Sequence, residues 1–76
     1  MTVRDVVLHS AAIITSTTHL RIIQMSADGV PAIIAEGTKY EDAILAQGER
    51  EIVWLFYDAA IDSAEIWVAC KEADEG

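Results

Sequence analysis

The sequence predicts a small α+β domain of order α-β-β-α-β-β, with two hairpins forming a four-stranded sheet and two short helices on one face. Three observations carry that prediction. Thr2…Asp5 and Thr38…Glu41 are helix-capping spacings, each placed ahead of a hairpin. Asp28-Gly29 is a tight-turn dipeptide between two apolar runs. Glu51 to Asp58 is a strand-like run of β-branched and aromatic residues. The 76 residues make a single small α+β domain, 1–76, in which 71–76 is a frayed acidic tail.

Taken in order, Thr2 can accept from the backbone three residues on, and Asp5 lies near the positive end of the helix it opens. Val3, Val6, Val7 and Ala11 fall at i, i+3, i+4 and i+8, a helical stripe over about 3–12. The β-branched valines keep a strand open as the alternative. Ser16-Thr17-Thr18 reads as a connection, and Leu20 to Met25 as a strand. Ala27-Asp28-Gly29 turns the chain and Val30 to Glu36 returns it. Pro31 cannot donate to a ladder, which puts this strand at an edge or starts it after the proline. After Gly37, Thr38 and Glu41 open a short helix whose face is Tyr40, Ala43, Ile44 and Gln47, and Gly48 stops it. In Glu51 to Asp58, alternation places Ile52, Trp54 and Phe56 on one face and Val53, Leu55 and Tyr57 on the other. Both faces are apolar, as in an internal strand covered on both sides. Ala59 to Asp62 is a turn, and Ser63 to Cys70 the last strand, with Ile66 and Val68 opposite Glu65 and Trp67.

Composition narrows the function classes. Thirteen acids face five bases, a net charge of −8. Residues 1–35 balance Arg4 and Arg21 against Asp5 and Asp28, so 36–76 carry the whole excess. Direct nucleic-acid binding needs cations to neutralise phosphates, and an anionic membrane would repel this chain; a basic protein surface would attract it. The alternative is that the acids serve solubility alone. No apolar run approaches the roughly 20 residues that span a bilayer. Val6 to Ile14 has the length of a signal-peptide core, but Asp5 and His9 sit badly in that role. Cys70 is the only cysteine, which excludes an internal disulfide and points to a reducing compartment such as the cytoplasm. The 53% apolar content is high for so short a chain and suggests a homodimer.

Reactive groups are few. Phosphate-loop, nucleophile-elbow, His-Glu-x-x-His and Cys-x-x-Cys patterns are absent from the sequence. His9, His19 and Cys70 have no ligand-like spacing within one element, and a Cys70–His nucleophile pair would need a third orienting group. The expectation is therefore a protein without catalytic residues, metal or cofactor. The last hairpin is the better lead. Tyr57 and Trp67 lie there among Glu51, Asp58, Asp62 and Glu65, and aromatics inside a charged rim have the composition of a binding hot spot. Those six residues are the candidate partner-binding set, while Trp54 and Phe56 are assigned mainly to the core. Exposed acids in a net-negative domain repel one another, so neutralising Asp58, Asp62 and Glu65 together is expected to leave folding nearly intact.

The chain also resembles small accessory proteins of phages, prophages and conjugative elements of Gram-positive bacteria. Met1-Thr2-Val3-Arg4-Asp5-Val6 looks like their opening helix, Arg21-Ile22-Ile23 and Asp28-Gly29 like their first hairpin, and Glu36-Gly37 like the step that follows. Arg50-Glu51-Ile52-Val53 and Glu65-Ile66-Trp67-Val68 look like the final hairpin. Among such acidic proteins are anti-CRISPR inhibitors, similar in size, charge and lack of catalytic motifs. The resemblance implies a non-enzymatic inhibitor or adaptor that binds a basic, nucleic-acid-handling protein, most concretely a CRISPR effector. The alternative is a homo-oligomeric structural or accessory protein of a mobile element.

Overall fold

The structure, a computed structural model, describes residues 1–9, 14–26 and 28–69. Ala11 of the expected helix stripe, Ala27 of the turn, Cys70 and the tail 71–76 lie outside the described residues. The elements follow the expected order: α1 (Val3–His9), β1 (His19–Met25), β2 (Pro31–Gly37), α2 (Asp42–Leu45), β3 (Ile52–Asp58) and β4 (Ser63–Val68).

Local chemistry accounts for the start of α1. The Thr2 N–H donates to the Asp5 carboxylate at 3.0 Å and the Asp5 N–H to Thr2 Oγ1 at 3.3 Å, a reciprocal capping box. The next two N–H groups of α1 donate outside the helix, Val3 to the Arg50 carbonyl and Arg4 to that of Gly48, at 3.0 and 2.8 Å. Val3, Val6 and Val7 are buried, so packing outweighs the weak helix propensity of valine. Thr38 does not cap α2 as expected: the N-cap is Glu41, three residues later, without a side-chain cap hydrogen bond, and the Thr38 N–H donates instead to the Glu41 carboxylate at 3.0 Å. That carboxylate occupies the space a Cβ on Gly37 would need, 2.7 Å from Glu41 Cδ, and Gly37 holds φ at +148°. Gly37→Ala is expected to displace Glu41 and strain the backbone, lowering stability by about 1–2 kcal/mol in denaturant unfolding.

The sheet has strand order β2-β1-β4-β3, with β1 and β4 parallel at the centre and each hairpin antiparallel. β3 is thus an edge strand and not the internal strand its two apolar faces suggest. A second correction concerns its alternation. Ile52 pairs with Val68 but Trp54 with Trp67, so Val53 is the extra residue of a bulge. One extra residue reverses the parity of all that follows. Ile52 therefore joins Leu55 and Tyr57 against the core, and Trp54 and Phe56 face the other way. β2 is bulged as well, between its Ile33 and Ala35 pairings, and begins with Pro31 at the free edge the sequence assigns to it.

Both helices pack on one face of the sheet. Val3, Val6 and Val7 of α1 and Ile44 of α2 form one cluster with Leu20, Ile22, Ala35, Ala64, Ile66 and Val68 from the strands. Of the residues assigned to the α2 face, Ile44 is buried and Gln47 half-buried, while Tyr40 and Ala43 are exposed. Tyr40 precedes α2 and Ala43 lies within it, and a helix of one turn is too short to hold a continuous stripe. Lys39 is also buried, its ammonium donating to the Ile14 carbonyl at 3.2 Å.

Candidate interaction face

Residues alternate across each strand, so the side chains opposite the core project from the second face of the sheet. The strand registers align them in rows. Ile33, Ile23, Trp67 and Trp54 form an apolar stripe across all four strands. Glu36, Arg21, Glu65 and Phe56 form the neighbouring row, and His19, Ser63 and Asp58 the next. Among the described residues no helix covers these rows, since α1 and α2 both contribute to the cluster on the opposite face. Trp54 is 61% exposed, Ile33 54% and Phe56 49%, whereas Ile23 beneath them is buried. The indoles of Trp54 and Trp67 lie 6.4 Å apart, tilted by 40°.

The charged row is internally linked. His19 Nε2 lies 2.6 Å from Glu36 Oε2, and Arg21 reaches Glu36 at 3.4 Å and Glu65 at 3.6 Å. The hydrogen bond with His19, aided by the charges of His19 and Arg21, holds the Glu36 carboxyl below its ordinary range. Glu65 receives the Trp67 indole N–H at 3.2 Å on its other oxygen. Arg21 Nε is buried without a hydrogen-bond partner among the described residues.

Of the six candidate residues, this face brings together Glu65, Trp67 and Asp58. Asp58 also accepts the Ala60 N–H at 3.0 Å and so closes the β3–β4 turn. Tyr57 points to the core side, and its hydroxyl donates to Asp62 at 3.2 Å. Burial, then the hydrogen bond with Asp62, raises the phenol above its ordinary range. Asp62 sits in the turn and also receives the hydroxyls of Thr18 at 2.8 Å and Thr17 at 3.3 Å. Asp62 is therefore an acceptor inside the fold, which weighs against the expectation that neutralising Asp58, Asp62 and Glu65 together leaves folding nearly intact. Glu51 lies at the other end of β3, 2.7 Å from the amino terminus, which it holds protonated to higher pH than usual.

Trp54 and Phe56, read as mainly core, are the largest exposed side chains of the face. Sequence alternation already placed them together; what it lacked was the edge position of β3 and the side the helices cover. The free edges are poor docking sites by comparison. β2 carries a proline and a bulge, and the start of β3 is closed by Met1 and Thr2, the Ile52 N–H donating to the Met1 carbonyl at 2.8 Å.

Other sites offer little chemistry. His9 is exposed at the end of α1, and no three His, Cys, Asp or Glu side chains converge among the described residues. A shallow cleft between the helices, lined by Val3, Val7, Leu8, Ile44 and Leu45 with Arg4 and Gly48, is apolar. No described helix is long and apolar enough to cross a membrane. Comparison with known proteins finds no matching family model, no matching curated protein and no matching solved structure.

Proposed function

We propose that the protein is a non-enzymatic inhibitor or adaptor that binds a basic, nucleic-acid-handling protein through the uncovered face of its sheet. The observation that carries this reading is the stripe Ile33–Ile23–Trp67–Trp54 with Phe56 beside it, an apolar surface that no described element covers in a chain of net charge −8. Contiguous apolar patches of several hundred Å² mark interaction sites in small soluble proteins. The acidic excess favours a basic partner and would act mainly on the rate of encounter.

In its most concrete form the partner is a CRISPR effector, a version that rests on the resemblance to anti-CRISPR proteins. Binding kinetics against purified effectors at two salt concentrations test it. Raising salt is expected to slow association, and Trp54→Ala to speed dissociation about tenfold or more, because large exposed aromatics of a contact face act as anchors. A second reading, a homodimer stacked through the same face, is favoured by the alternating charges of Glu36, Arg21 and Glu65, which a twofold axis can bring into register. Light scattering that gives twice the chain mass, reverting to one chain in Trp54→Ala, would put that reading in the lead.

A further inference from the structure

We infer that the uncovered sheet face takes an arginine-bearing segment of its partner, with a guanidinium laid against the Trp54–Trp67 pair and forked onto Glu65. The inference rests on the binding reading above and specifies the partner chemistry. Glu65 is the acid next to the tryptophan row: register places it beside Phe56 and Arg21, and it shares its face with Trp67 two residues along. One oxygen accepts the Trp67 indole N–H at 3.2 Å, and the other is 3.6 Å from Arg21. Its negative charge is thus held in place by the indole and only loosely countered. Across the face Glu36, Glu65 and Asp58 outnumber Arg21 and His19 together, leaving net negative charge around an apolar floor.

A guanidinium complements that arrangement better than an ammonium does. It is planar and weakly hydrated, stacks on indole faces, and presents paired donors to a carboxylate. Lysine carries a compact, strongly hydrated charge that gains less from an aromatic floor. The exposed indole of Trp54 and the half-exposed Glu65 are diagonal neighbours across the antiparallel β3–β4 pair, a separation of roughly 7–8 Å that one arginine side chain can bridge.

The test is a fluorescence titration of the full chain, read on its two tryptophans, with an oligo-arginine peptide and an oligo-lysine peptide of equal length. The arginine peptide is expected to bind about tenfold tighter and to shift tryptophan emission. Trp54→Ala and Glu65→Gln should each remove most of that preference while thermal unfolding shows the fold retained. Equal affinity for the two peptides, or a preference untouched by both variants, would overturn the arginine assignment and leave a basic partner in place. No binding of either peptide at low salt would overturn the assignment and the basic-partner reading together.

Discussion

Ile66→Ala is expected to lower the stability of this domain by about 3–4 kcal/mol. Ile66 is fully buried at the middle of a central strand, and register places it between Ile22 of β1 and Leu55 of β3. Truncation removes the transfer free energy of three carbons and leaves a void that β1, β3 and the helices cannot all close. A chain of this size has a total stability of roughly 4–10 kcal/mol, so the change consumes a large part of it. The measurement is urea unfolding followed by circular dichroism, with the midpoint falling and the slope unchanged if the native state keeps its form. Ile33→Ala, on the uncovered face, is the control; its side chain is more than half exposed, and a loss below about 1 kcal/mol is expected. Equal losses for the two variants would contradict the assignment of the covered and uncovered faces.

The second large effect is expected at Asp62. Its carboxylate receives hydroxyls from Thr18 and Tyr57 on one oxygen and from Thr17 on the other, and its carbonyl accepts the His19 N–H at 3.0 Å. Thr18 is fully buried, so Asp62→Ala strips an acceptor from a hydroxyl that water cannot reach, although Thr15 remains nearby at 3.2 Å. Asp62 also holds φ at +51°, which aspartate tolerates better than alanine. Together these predict a loss of about 2–3 kcal/mol, or a fall in Tm of roughly 10–20 °C for a domain of this length. Asp62→Asn keeps an oxygen for Thr18 and Tyr57 and suits the left-handed backbone, so it should lose less than half as much. Asp62→Gly relaxes the backbone but supplies no acceptor, and should fall between them. If all three variants melt with the parent protein, the turn network contributes nothing to stability.

Features encoded by neighbouring residues were legible in the sequence. The Thr2–Asp5 box forms in both directions, and Glu41 accepts from the Thr38 backbone, because each needs only groups three residues apart. Gly29 at φ +84° follows Asp28 in the first hairpin turn, and Pro31 opens an edge strand. In β4, Ala64, Ile66 and Val68 alternate with Glu65 and Trp67 without interruption, and their burial alternates with them. The candidate set was legible in part: Glu65, Trp67 and Asp58 share a face because they follow that alternation or pair with it. Tyr57 and Asp62 belonged instead to an internal hydrogen-bond network in which Thr17 and Thr18 are 44 or more positions from Asp62 in the chain.

The sequence by itself determined the element order, the start of α1, the first turn's chemistry and the acidic excess, all properties of short segments or of composition. Tertiary structure decided the rest. The parallel pairing of β1 with β4 places β3 at an edge, and a single bulged residue at Val53 sends Trp54 and Phe56 away from the core. Neither event leaves a local mark, since Ile-Val-Trp-Leu-Phe-Tyr is apolar in either register. The face that stays open is fixed by where the helices find their largest continuous burial, and that is a property of the whole chain.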